Sequence, residues 1–85
     1  MLYVKSVPME LRGIAHRPKK NTGEVYYIVN AELEDGTAYS FYCPKATAFG
    51  ADLKKGDKVE ITFEVSYYYN KERLIVEKVE KVRNA

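Results

Sequence analysis

Residues 66–73 read Ser66-Tyr67-Tyr68-Tyr69-Asn70-Lys71-Glu72-Arg73, three consecutive phenol rings followed closely by two cations. Neighbours on extended backbone point to opposite faces, so Tyr67, Tyr68 and Tyr69 cannot all enter one small core and at least one faces outward. An exposed ring can stack on any nucleobase, a contact worth about 1–3 kcal/mol per base. Lys71 and Arg73 can neutralise phosphates beside it. Tyr is also favoured at protein interfaces, so a subunit contact through the same cluster is the alternative. A second segment, His16-Arg17-Pro18-Lys19-Lys20-Asn21-Thr22-Gly23, offers Arg17, Lys19 and Lys20 as phosphate contacts or, equally, as a solvated basic turn.

Motifs for covalent or metal chemistry do not accompany these segments. The chain has no GxxxxGK[ST], GxGxxG or HExxH run and no paired Cys or His spacing. His16 has no Ser, Cys or acid placed by spacing to make it a catalyst. Cys43 reads as a small buried hydrophobe rather than a reactive thiol. Glu60, Glu64, Glu77 and Glu80 occupy polar strand positions among lysines and read as solvated cross-strand partners. The expectation is a protein that is not an enzyme and uses no cofactor or metal.

The elements that must hold these residues follow from a period-two pattern. Val25, Tyr27, Val29, Ala31 and Leu33 alternate with Tyr26, Ile28, Asn30, Glu32 and Glu34, and Val59, Ile61, Phe63 and Val65 alternate with Lys58, Glu60, Thr62 and Glu64. Turn signals fall at Lys20-Asn21-Thr22-Gly23, Glu34-Asp35-Gly36, Lys55-Gly56-Asp57 and Asn70-Lys71. Five strands are predicted, at residues 2–16, 24–34, 37–43, 57–67 and 72–82, with a short helix or irregular connector at 45–53. Pro8 should interrupt or mark an edge of the first strand, and Gly13 should let it bend. Five strands with one connector before the last two is the order of an all-β, five-stranded OB-fold (Greek-key) barrel, a single domain over residues 1–85.

The turn at residues 34–36 decides which side chains share a face. A two-residue Asp35-Gly36 loop would strand Tyr39, Phe41 and Cys43 beside Glu32 and Asn30. A three-residue loop, Glu34-Asp35-Gly36 with Gly36 left-handed, aligns Val25, Tyr27, Val29, Ala31 and Leu33 with Tyr39, Phe41 and Cys43. The second register makes one apolar face and is preferred; it assigns Tyr27 and Tyr39 to the interior. The opposite face then carries Tyr26, Ile28 and Asn30 beside Ser40 and Tyr42, two rings and an aliphatic where an OB barrel binds oligonucleotides. Tyr26 and Tyr42 could instead be covered by a second subunit or by the first residues of the chain.

Composition sets the outer bounds. With 85 residues the chain has room for one modest core, burying about 60–65% of its unfolded surface. Eight Tyr against three Phe and no Trp favours rings at a surface, because Tyr joins an apolar ring to a polar tip. The net charge of +2 does not single out a nucleic-acid binder, but its distribution is uneven: residues 1–20 hold Lys5, Arg12, Arg17, Lys19 and Lys20 against Glu10 alone. No apolar run approaches the ~18 residues needed to span a membrane, no signal peptide is evident, and one Cys forms no intrachain disulfide. A cytoplasmic protein without membrane association is expected.

Three segments carry a family resemblance. Met1-Leu2-Tyr3-Val4-Lys5-Ser6-Val7-Pro8, then Gly23-Glu24-Val25-Tyr26 after a basic loop, then Gly56 to Phe63 with Ser66 to Asn70 and Leu74-Ile75-Val76-Glu77 resemble the gene V-type single-stranded DNA-binding proteins of filamentous bacteriophages. The resemblance implies an OB-type barrel in which Tyr26 stacks on DNA, Arg17, Lys19 and Lys20 hold phosphates, and Tyr69 or a neighbour contacts DNA across a homodimer. It further implies cooperative coating of single strands during replication or transfer of a phage or mobile element, in the cytoplasm of a bacterial host. The middle connector departs from that pattern, and Glu24 replaces a lysine beside the stacking ring. The nucleic-acid contacts expected are Arg17, Lys19, Lys20, Tyr26, Ile28, Tyr42, Tyr67, Tyr68, Tyr69, Lys71 and Arg73, with single-stranded DNA as partner. RNA binding and a protein-interaction role remain the alternatives.

Overall fold

Along most strands the inward-facing residues recur at every second position, but twice they stand three apart, and the strand bulges at both places. The computed structural model describes residues 3–44 and 53–82. In order these form β1 (Tyr3–Lys5), β2 (Met9–Pro18), β3 (Val25–Glu32), β4 (Ala38–Cys43), β5 (Lys58–Tyr68) and β6 (Lys71–Lys81). In β2, Leu11 pairs with Ala31 and Ile14 with Val29, so one extra residue lies between them. In β6, Val79 pairs with Ile61 and Val76 with Phe63, again with one residue too many. Each bulge keeps both flanking apolar residues inside while bending its strand, which a small closed barrel requires.

The extra residue in β2 has its own partners. Glu10 and Glu32 lie directly opposite each other, a like-charge pair that would repel. Arg12 bridges them, its guanidinium 2.8 Å from Glu10 and 2.9 Å from Glu32. The hydrogen bond to Glu10, and then the charge of Glu32, raise the Arg12 pKa further above its ordinary value.

The predicted first strand is two strands. Pro8 has no N–H to give a ladder, and the chain breaks at Ser6-Val7-Pro8. Ser6 bridges the break: its backbone N–H donates to the Ile61 carbonyl at 2.8 Å, and its hydroxyl oxygen accepts the Ile61 N–H at 2.9 Å. Both halves pair with β5, β1 through Tyr3↔Glu64 and β2 through Met9↔Val59. The strand order is β1-β5-β2-β3-β4-β6, and β5 also pairs with β6, so β2 to β6 close into a five-stranded mixed barrel of OB type. Among the described residues its single parallel pair is Tyr42↔Ile75, between β4 and β6. The expected helix or irregular connector spans residues 45–53, of which 45–52 lie outside the described residues. No helix among the described residues is long and apolar enough to cross a membrane.

The three-residue turn is present. Glu32 pairs with Ala38, Ala31 with Tyr39, Val29 with Phe41 and Tyr27 with Cys43, the register in which the apolar residues of β3 and β4 coincide. Leu33 N–H donates to the Thr37 carbonyl at 2.9 Å and Gly36 N–H to the Leu33 carbonyl at 3.0 Å, with Gly36 at φ 90°. Asp35 accepts the Thr37 N–H at 2.9 Å, and this bond holds its carboxyl below the usual carboxylate range. The barrel interior is apolar: Leu11, Val29, Val59, Ile61 and Cys43 are fully enclosed, and Phe41 meets Phe63 with centroids 5.3 Å apart. Cys43 is thus buried as expected, and Tyr27 packs against this core from a half-buried position.

Two outcomes test the turn. Gly36→Ala places a Cβ at positive φ and should destabilise the protein by about 1–2 kcal/mol in urea unfolding. The Asp35 pKa is depressed on folding, so its contribution is complete above the unfolded value near 3.8 and fades as pH falls through the folded one. The melting temperature of wild type should therefore drop more steeply below about pH 4 than that of Asp35→Asn, whose amide oxygen still accepts the Thr37 N–H.

Candidate nucleic-acid interface

The register that fills the core also dresses the opposite face of β3 and β4. Ile28 pairs with Tyr42 and Asn30 with Ser40, and Tyr26 lies one step further along the same face. The Tyr26 and Tyr42 rings, diagonal neighbours across the two strands, have centroids 5.2 Å apart and are tilted by 41°. This is a favourable aromatic contact rather than a parallel stack. Because Tyr42 pairs with Ile75 in parallel, Arg73, two residues earlier on β6, falls on the same face. Its guanidinium carbon lies 4.8 Å from the centre of the Tyr42 ring, a cation–π contact. Two rings and a guanidinium from three strands thus form one tiered cluster.

A groove of about 1190 Å³ runs over this cluster. Pro18, Lys19 and Lys20 of the β2–β3 segment form one wall, and Tyr69, Lys71 and Arg73 of the β5–β6 hairpin form the other. Tyr26, Ile28 and Tyr42 lie between them. The β2–β3 loop is shaped by its backbone: Lys19 N–H donates to the Glu24 carbonyl at 2.6 Å, Gly23 N–H to the Lys19 carbonyl at 3.3 Å, and Thr22 Oγ1 accepts the Glu24 N–H at 3.3 Å. Glu24, two residues before Tyr26, lies 3.6 Å from Lys19 Nζ. Lys19 therefore meets any anionic ligand in competition with an internal carboxylate, whereas Lys20 is exposed. A second hollow, beside the β3–β4 turn, is lined by Glu10, Glu32 and Glu34 with Lys58, a charge balance unsuited to phosphates.

Comparison with protein-family models, with curated proteins and with solved structures finds no match. The site is therefore read from its own geometry.

Most of the residues singled out in the sequence come together here. Lys19, Lys20, Tyr26, Ile28, Tyr42, Tyr69, Lys71 and Arg73 all line the groove. Arg17 does not: it stands on β2 opposite Tyr26, exposed, with its guanidinium donating to the His16 carbonyl at 3.1 Å. Tyr67 is 74% exposed on β5 and lies off the groove. The side chain of Tyr68 is outside the described residues. Parity alone predicts an interior Tyr39, yet it is 40% exposed and lines the groove with Leu74. Among the described residues β4 and β6 are bridged at Tyr42↔Ile75, and Tyr39 stands three residues before that pair, beyond the bridge, where it meets the groove. The signal in the sequence is the tyrosine itself, a ring with a polar tip where Phe would serve a closed interior.

The hairpin that carries Tyr69 is tighter than the sequence signal implied. Tyr68 pairs with Lys71, leaving a two-residue turn of Tyr69 and Asn70 with φ of 51° and 61°. Two successive positive φ values define a type I′ turn, which fits Asn-Gly well and tolerates a bulky aromatic poorly. Tyr69 in this conformation costs about 1–2 kcal/mol relative to glycine. Tyr69→Gly should therefore raise the midpoint of urea unfolding, which a Tyr69 retained for stability would not allow.

Proposed function

We propose that this protein binds single-stranded DNA without sequence specificity and coats it during replication or transfer of a phage or mobile element, with no catalytic step of its own. The observation that carries this reading is the Tyr26–Tyr42 pair on the floor of a groove walled by Lys19 and Lys20 on one side and by Lys71 and Arg73, the latter over the Tyr42 ring, on the other. Rings that stack on unpaired bases, flanked by cations that track a phosphate backbone, are the parts such binding requires. Duplex DNA keeps its bases stacked inside and offers these rings nothing. Tyr26, Ile28, Tyr42 and Tyr69 contact bases; Lys20, Lys71 and Arg73, with Lys19 partly offset by Glu24, contact phosphates. The gene V-like resemblance of the sequence motifs supports the same assignment and adds a homodimer in the cytoplasm of a bacterial host.

A protein-interaction role has its own support in Tyr67, 74% exposed off the groove, and in β1, an edge strand with Tyr3 47% and Val4 38% exposed. These surfaces suit a subunit contact that would join copies along one strand. RNA shares the stacking chemistry and is the other alternative.

The lack of Trp makes tyrosine emission the intrinsic reporter. Oligo(dT) should quench it with an affinity that falls steeply with salt; four phosphates neutralised on a single strand give a log–log slope of about −3. Tyr26→Ala should weaken binding by about 1–3 kcal/mol while leaving that slope unchanged. No binding at low salt, or binding indifferent both to salt and to Tyr26→Ala, would refute the assignment. Sedimentation of the same samples separates the two roles, since a dimer lost in Tyr67→Ser with oligo(dT) affinity per subunit intact assigns Tyr67 to the subunit contact.

A further inference from the structure

Past the rings, the outer face of β3 and β4 continues in one more cross-strand pair, Asn30↔Ser40. Ser40 Oγ donates to Asn30 Oδ1 at 2.7 Å. The pair lies one step beyond Ile28↔Tyr42 on the same face, a distance of ~7 Å for alternate residues of a strand. On β2 the neighbours of this face are Gly13, opposite Asn30, and Ala15, opposite Ile28. Neither carries more than a methyl, and a Cβ on Gly13 would meet nothing within 4 Å. Asn30 and Ser40 thus look onto an open shelf next to the aromatic cluster, and Ser40 itself lines the groove.

We propose that Asn30 and Ser40 hydrogen-bond the edge of a base stacked against Tyr42 and so favour pyrimidines with a 4-keto group beside an N3–H, thymine and uracil, over cytosine. The inference rests on the single-strand reading above and adds a base-class preference to it. With its proton committed to Asn30 Oδ1, Ser40 Oγ presents lone pairs, while Asn30 Nδ2 presents N–H donors. A keto pyrimidine meets the two together, its O4 accepting from Asn30 and its N3–H donating to Ser40. Cytosine reverses that order and brings an exocyclic amine to a rim where Lys20, Lys71 and Arg73 are donors only. The lining side chains that could accept from that amine are Ser40, the Glu72 carboxylate and the hydroxyls of Tyr26, Tyr39, Tyr42 and Tyr69. Neighbouring β3–β4 pairs offer no such edge: Ile28↔Tyr42 is stacking surface, and Glu32, beyond Asn30, is held by Arg12 at 2.9 Å.

Competition among oligo(dT), oligo(dU) and oligo(dC) of one length at one salt concentration tests this, with tyrosine emission as readout. Wild type should bind oligo(dT) and oligo(dU) about three- to tenfold more tightly than oligo(dC), the scale of one or two net hydrogen bonds. Asn30→Ala with Ser40→Ala should bring the ratio close to one by loss of oligo(dT) and oligo(dU) affinity. Ser40→Ala alone, a change at an exposed strand position, should reduce it and serves if the double variant does not fold. Equal binding of all three by wild type overturns the proposal, as does a ratio that survives in the variants. Oligo(dT) tighter than oligo(dU), with oligo(dU) equal to oligo(dC), also overturns it, since the thymine methyl on Ile28 would then be what is read. Failure to bind any of the three is a different result and removes the single-strand reading as well.

Discussion

A barrel this small closes only if every strand presents the same parity of residues to its interior, and its length leaves no spare core to absorb a mistake. A one-residue slip anywhere would send an apolar row to solvent and bring a charged row inside. The chain meets this constraint with three local devices: the Leu11/Gly13 bulge of β2, the Val76/Val79 bulge of β6 and the three-residue turn ending at Gly36. The fully enclosed side chains Leu11, Val29, Val59, Ile61 and Cys43 come from four different strands and coincide because those devices agree. Fixing the inner parity fixes the outer one too. Tyr26, Ile28 and Tyr42 share the outer face for the same reason that Val29, Phe41 and Cys43 share the inner one.

The site then follows from how the barrel closes. The bridge between β4 and β6 is a single parallel pair, Tyr42↔Ile75. It brings Arg73 over the Tyr42 ring. Tyr39 and Leu74 both line the groove, Leu74 while packing against the core. Closure and binding surface are two aspects of one contact. The strain at Tyr69 fits the same account, because the turn would be more comfortable with glycine but would lose the ring that stands at the groove wall.

Charge plays a smaller part than the basic segments of the sequence suggest. Lys19 shares its charge with Glu24 at 3.6 Å, Arg12 is committed to Glu10 and Glu32, and Lys5 lies 3.8 Å from Glu60. Of the five cations in the first 20 residues, only Lys19 and Lys20 line the groove. The hairpin supplies Lys71 and Arg73, beside the rings of Tyr26, Tyr39, Tyr42 and Tyr69.

By itself the sequence determined the all-β class, the strands and the β3–β4 register, because alternation and turn chemistry are local and period two leaves few ways to gather the apolar residues. The outward placement of Tyr26, Ile28 and Tyr42 was legible for that reason. The interruption at Pro8 was legible too, whereas tertiary structure alone decided that both halves pair with β5, the position of Arg73 above Tyr42 and the opening of Tyr39 to the groove. It also withdrew Arg17 from the groove wall and tied Lys19 to Glu24. Each of these depends on pairing between strands distant in the chain, or on where a flexible charged side chain finds its partner, and no pattern of neighbours along the sequence encodes either.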